Sequence, residues 1–157
     1  MVEIFLVRHG QALAENEEPR RPLSPEGAEE VEKMAAWAHG RNLRVRQIRH
    51  SGKLRAEQTA RIFSRHLDPD LGIIGVSGLR PHDDVAPVAL VADTDLSNSM
   101  LVGHLPFLGR LAGLLVAGDP EREVVEFATA GMVCLRKEQD IWSVSWMINP
   151  ELLARSA

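Results

Sequence analysis

The chain opens Val2-Glu3-Ile4-Phe5-Leu6-Val7 and then turns polar at Arg8-His9-Gly10. A short, mostly apolar and β-branched run of this kind predicts a strand buried between two helical layers. It stops at a cationic and imidazole-bearing tip, which is where an open parallel sheet gathers its working residues. Beyond it, Ala14 to Pro22 is rich in charge and proline and reads as a surface loop. Ser24-Pro25 then supplies an N-cap and a first helical residue. Ala28, Val31, Ala35 and Ala38 give that helix one apolar stripe, and Gly40 and Asn42 mark its end.

The same rhythm returns twice. Val45 to Ser51 predicts a second strand, and Gly52 opens a helix with the stripe Ala56, Ala60, Phe63 and Leu67, placing Arg55 in its first turn. Leu71 to Leu79 is a further β-like segment, followed by the polar loop Arg80 to Asp84 and a short apolar helix from Val85 to Ala92. Ser99 to Val102 predicts a third buried strand ending at Gly103-His104, with Pro106 starting a helix through Leu108, Leu111 and Leu115. The last third changes character: Met132 to Arg136 and Ile141 to Ile148, joined by Lys137 to Asp140, predict an antiparallel hairpin. Alternation of Trp142, Val144, Trp146 and Ile148 puts both tryptophans on one buried face as ordinary core. The expectation is a single domain over residues 1–157, a three-layer α/β/α sandwich with a mostly parallel central sheet and an antiparallel C-terminal strand.

Composition narrows the function. A chain of 157 residues with 45% hydrophobic content suits one compact core and leaves little room for a large lid. Its net charge is -4, from 22 acidic against 18 basic side chains, and no basic run forms a nucleic-acid stripe. Nucleic acid is therefore not an expected partner. Cys134 is the one cysteine, set in an apolar strand, so it reads as a buried inert thiol in a reducing compartment. Glu3 stands where a signal peptide would carry a cation, and no apolar stretch approaches the ~20 residues of a bilayer span. The expected setting is cytoplasmic, without a membrane partner.

Arg8-His9-Gly10, Arg55-Ala56-Glu57-Gln58-Thr59-Ala60 and Gly103-His104 each fall where a predicted strand gives way to a helix. Convergence would join two arginines to two histidines. Arginine presents a planar fork of donors that fits phosphate oxygens, and neutral imidazole is a nucleophile toward phosphorus. Without a side chain, Gly10 is expected to leave its amide free to approach an anion, and the helix near Gly52 adds an N-terminus. Arg8, Gly10, Arg55 and His104 are thus the expected substrate-binding groups and His9 the expected nucleophile. The chemistry is charge stabilisation plus positioning, and it requires no metal and no cofactor.

These motifs resemble the histidine phosphatase superfamily, the phosphoglycerate mutase-like fold, whose signature is an Arg-His-Gly after the first strand. Leu6 to Gly10, Arg21 to Gly27, Ser51 to Ala60 and Gly103 to Pro106 are similar to the short bacterial phosphohistidine phosphatases, as are Phe127-Ala128-Thr129 and Trp146 to Pro150. The resemblance implies transient phosphorylation of His9, with Arg8, Arg55 and His104 holding the phosphoryl group, followed by hydrolysis by water. It also implies a phosphorylated protein as partner, such as a histidine-phosphotransfer domain. Members acting on phosphate esters carry a general-acid glutamate on an insertion that this chain lacks. An alkoxide leaving group needs that proton, whereas imidazole, with a parent pKa near ~6.5, departs neutral when its other nitrogen is protonated. Gln11 replaces the acidic residue common after the glycine in the short branch, and His50 occupies a place usually apolar or hydroxyl-bearing.

Two other readings remain open at this point. One is a phosphatase of a small phosphate ester, with Asp84 or His82 donating the proton or positioning water; Asp84 resembles an acidic residue of the short phosphatases, and its structural alternative is an N-cap. The other is a regulatory module that binds phosphate without turnover. His50 reads as a partly exposed strand-end histidine, Lys53 as a solvated lysine, and His39 and His66 as residues favouring helix ends.

Overall fold

The computed structural model describes residues 1–154. The strands are β1 (Val2–Arg8), β2 (Gln47–His50), β3 (Ile73–Gly75), β4 (Ser99–Gly103), β5 (Met132–Glu138) and β6 (Ile141–Ile148). The helices are α1 (Pro25–Gly40), α2 (Leu54–Leu67), α3 (Ala86–Leu90), α4 (Phe107–Ala117) and α5 (Pro150–Ala154). The strands form one sheet in the order β3-β2-β4-β1-β5-β6. Pairings β1 to β4, β2 to β4 and β2 to β3 are parallel, and β5 is antiparallel to both β1 and β6. The strand that runs against the rest is therefore β5, inside the sheet, and β6 realigns with β1.

Alternation along the central strands sorts the core onto two faces. Phe5 and Val7 of β1, with Met100, Val102, Met132 and Cys134, pack under α1 and α2. Ile4 and Leu6, with Leu101, Val133 and Leu135, pack under α4 and the segment around Phe127. Every core residue of β1 and β4 is essentially dry, which is why these two strands read so clearly as buried runs. The expected Ser24 cap is present: its Oγ accepts from the Gly27 amide at 3.0 Å, and Pro25 begins α1.

Three expectations are corrected. The two tryptophans lie on opposite faces: Trp146 packs with the α1/α2 core and Trp142 with the α4 core. Between them the β5/β6 register shifts, from Cys134 opposite Trp146 to Leu135 opposite Val144, so a bulge at Ser145 reverses the alternation. The long β-like segment 71–79 shrinks to the three residues of β3, bracketed by Gly72 and Gly78 at positive φ. His66 does more than favour a helix end. Its Nε2 lies 2.6 Å from Glu32 Oε2, and with Arg65 on the same carboxylate it ties α2 to α1.

The exit of β1 is clamped against the start of α1. A Cβ on Gly10 would come within 2.7 Å of Val31 Cγ2, and one on Gly27 within 2.1 Å of the Gln11 carbonyl oxygen. The second obstacle is backbone, which cannot swing aside. Gly27→Ala is therefore expected to destabilise the protein by about 2 kcal/mol or more, read as a lower urea midpoint. Gly40→Ala, where a Cβ would meet nothing within 4 Å, is expected to leave the midpoint unchanged or slightly raised.

Candidate active site

Backbone pairing places the predicted residues before any side chain is considered. Arg8 stands opposite Gly103 in the parallel β1/β4 ladder, and the His9 amide donates to the Gly103 carbonyl at 3.0 Å. The residues that follow the two strands, His9 and His104, emerge side by side with ring centroids 4.9 Å apart. On the other flank of β4, His50 stands opposite Val102, which brings Ser51 level with the end of that strand. Ser51 Oγ lies 2.6 Å from His104 Nε2.

Arg55 is set by a second chain of contacts. Thr59, one turn later on α2, donates its hydroxyl to the Arg55 carbonyl at 2.8 Å and accepts the Gly10 amide at 3.1 Å. Gln58 Oε1 accepts from the Leu23 amide at 2.7 Å and holds the loop over the same end of the sheet. Arg8 is steered by its Nη1, which donates to the Phe127 carbonyl at 2.9 Å. Among the described residues, the buried side-chain polar atoms without a partner are Arg8 Nε, Arg55 Nε, His104 Nδ1 and Ser99 Oγ. Three of the four belong to the cluster.

The His9 ring has a defined tautomer. Its Nδ1 lies 2.7 Å from the Gly10 carbonyl, which only accepts, so Nδ1 carries the proton and Nε2 keeps its lone pair. Burial pushes His9 down to about 4, against a modest upward pull from that carbonyl bond, and the charges of Arg55, Arg8 and Arg21 push it further the same way. Burial likewise takes His104 down to about 3, assisted by His9, Arg55, Lys53 and Arg21. Both imidazoles are neutral at pH 7. Arg8 and Arg55 are lowered by burial as well, so the site concentrates positive charge in a partly dry setting.

Arg8, His9, Arg55 and His104 are thus brought into one electrostatic neighbourhood, with His104 1% exposed and His9 half-buried rather than sealed. Gly10 is a correction. Its amide is engaged by Thr59, so it does not wait for an anion; the position needs glycine because Val31 and Gly27 press against it. Asp84 precedes the N-cap of α3, Val85, and its Oδ1 accepts from the Ala86 amide at 3.0 Å. It nonetheless lines, with His82, Asp83 and Arg8, a cavity of about 880 Å³. His50 is also corrected, being 5% exposed with its Nδ1 accepting from the Gly52 amide. Burial lowers its pKa. Arg21, given no site role from sequence, and Lys53, read as merely solvated, line a hollow of about 390 Å³ with Arg55. Both add to the field on His104. The clue to Arg21 lay in its Arg-Pro-Leu-Ser-Pro context, and Ser51 shared its strand-end position with the two histidines.

A family profile described as the histidine phosphatase superfamily (branch 1) matches residues 4–81. The phosphohistidine phosphatase SixA of Escherichia coli K12 is 26% identical over 154 residues, covering 95% of this chain and 94% of that protein. A solved structure of the protein histidine phosphatase SixA complexed with tungstate superposes with a TM-score of 0.83 at 25% identity, covering 96% of this chain and 99% of the other. A protein of Agrobacterium tumefaciens assigned as a SixA phosphohistidine phosphatase gives 0.75 at 25% identity, covering 95% and 98%.

The lowered histidines make a stability prediction. In the unfolded chain each takes up a proton near ~6.5, whereas in the folded protein they stay neutral to about 4 and about 3. Their contribution is complete above pH 6.5 and is lost progressively as pH falls. Between pH 6.5 and 5, before most carboxylates titrate, the urea midpoint is expected to drop. His104→Gln is expected to flatten that slope.

Proposed function

The chain belongs to the histidine phosphatase superfamily, and on that premise we propose that it is a phosphatase that hydrolyses protein phosphohistidine through a covalent intermediate on His9. The observation that carries the reading is the ring of His9: proton fixed on Nδ1 by the Gly10 carbonyl, lone pair on Nε2, and His104 against it at 4.9 Å. Burial, helped by the charges of Arg55 and Arg8, keeps that ring neutral, and the two guanidinium groups supply donors for phosphoryl oxygens.

In the proposed reaction His9 Nε2 attacks phosphorus while the bond from phosphorus to the substrate imidazole breaks. The substrate ring leaves with the bonding pair, neutral because its other nitrogen already carries a proton. Phosphoryl charge passing between the two nitrogens rests on Arg8, Arg55 and His104, whose Nε, Nε and Nδ1 atoms make no hydrogen bond within the protein. Water then attacks phosphorus, the bond from phosphorus to His9 Nε2 breaks, the released phosphate keeps the water's protons, and the neutral ring returns with Nδ1–H still donating to the Gly10 carbonyl. Neither half-reaction calls on a strong acid.

The partner in this reading is a phosphorylated protein of the histidine-phosphotransfer kind, and residues 1–157 act as one domain. A cytoplasmic setting goes with it, supported by the buried thiol of Cys134, which burial and Glu3 raise to about 12. No helix of the described residues is long and apolar enough to cross a membrane. The SixA likeness supports the substrate class, and the tungstate in one related structure is a tetrahedral oxyanion like the group to be transferred.

Quenching the reaction with labelled phosphohistidine protein is expected to trap an acid-labile, base-stable phosphoryl group on His9. His9→Ala is expected to abolish both trapping and turnover, and Arg55→Ala to lower kcat/KM by at least about two orders of magnitude. Full hydrolysis by His9→Ala would refute the covalent route. Higher kcat/KM on sugar phosphates or phosphoserine peptide than on phosphohistidine protein would move the assignment to small esters.

A further inference from the structure

We propose that Ser51 is a positioning residue for His104: its hydroxyl donates to Nε2, fixes the proton of the neutral ring on Nδ1, and so makes Nδ1–H the donor that meets the phosphoryl group. The inference rests on the reading of His104 as a phosphoryl ligand and adds how that ligand is set.

Counting donors and acceptors decides the direction. Ser51 is 4% exposed and His104 1%, so neither can borrow water freely. Their polar atoms meet at 2.6 Å, a short contact that must be a hydrogen bond one way or the other. Ser51 Oγ also accepts from the Lys53 amide at 3.3 Å, which occupies one lone pair and leaves the hydroxyl proton to be placed. If His104 donated from Nε2, that proton would have no acceptor and Nδ1 would be an unmet acceptor besides. If Ser51 donates, its proton and Nε2 are both satisfied, and the single remaining demand is Nδ1–H. One orphan costs less than two in a buried site.

The orphan then has a purpose. Nδ1 is buried and partnerless, on a ring packed against His9. His9 shows the same logic in mirror form, its Nδ1–H on a carbonyl so that Nε2 is the bare nucleophile. A backbone acceptor thus sets one ring as attacker, and a side-chain donor sets the other as a hydrogen-bond donor. Burial and the surrounding cations keep the His104 ring neutral, so its proton location matters more than its charge. Ser51 reaches this position because β2 pairs in parallel with β4 and both strands end at the same level.

Long-range proton–nitrogen correlation spectra of the ¹⁵N-labelled full chain at pH 7 read the tautomer directly, without substrate. His104 is expected to show the Nδ1–H pattern, with Nδ1 perturbed on titration with inorganic phosphate. Ser51→Ala is expected to give a mixture of tautomers and roughly tenfold lower kcat on phosphohistidine protein. Ser51→Thr, which keeps the hydroxyl, is expected to restore both the tautomer and most of the rate. An Nε2–H pattern in the unmodified protein overturns the proposal even if Ser51→Ala fails to fold. So does Ser51→Ala with an unchanged tautomer, or an unchanged kcat. Because the tautomer is read without turnover, a protein that fails to hydrolyse phosphohistidine yet shows Nδ1–H separates failure of the assigned activity from failure of this inference.

Discussion

The parallel pairing of β1 with β4 is the constraint from which the rest of the site follows. Arg8 opposite Gly103 and the His9 amide on the Gly103 carbonyl fix the heights at which two strands, separated by most of the chain, release their histidines. A slip of one residue would turn Phe5 and Val7 out of the α1/α2 core and replace them with Ile4 and Leu6. Apolar packing on both faces therefore holds the register, and the register holds the imidazoles at 4.9 Å. The site is as precise as the core is tight.

Legibility followed the reach of each signal. β1, β4 and α2 read correctly because their burial patterns are set within the segment: runs of apolar residues for strands dry on both faces, a 3.6-residue stripe for the helix. The arginines and histidines were visible because each sits at the junction between such segments. What escaped depended on partners far along the chain. The bulge at Ser145 that separates Trp142 from Trp146 is a register event between two strands, and alternation within β6 alone carries no trace of it. The engagement of the Gly10 amide by Thr59 spans 49 residues, and the contact of Ser51 with His104 spans 53. A glycine beside a catalytic motif invites an anion-binding reading; only the crowding by Val31 and Gly27 gives its other cause.

The motif around Arg55 illustrates how structure and proposed chemistry share residues. Ala56 and Ala60 are buried against the sheet, Gln58 holds the Leu23 amide, and Thr59 joins α2 to the turn after His9. Glu57 pairs with Arg61 along the outer face of α2, and the guanidinium of Arg55 is left for an anionic ligand. The same holds for Arg8, fixed at one nitrogen by the Phe127 carbonyl while its Nε stays unpartnered.

Unmet donors concentrated at one point run against the general rule that buried polar groups are paired. Arg8 Nε, Arg55 Nε and His104 Nδ1 find no acceptor within the protein, and burial lowers the pKa of all three side chains, so unbalanced positive potential is concentrated there. A tetrahedral anion offsets it on arrival, because its oxygens supply the missing acceptors and its charge counters Arg8, Arg21 and Arg55 together. The offset grows as charge builds on the transferring group between two neutral nitrogens, which is the condition for catalysis rather than mere binding. The dry, register-locked core beneath holds these donors at one point, where they meet that developing charge together.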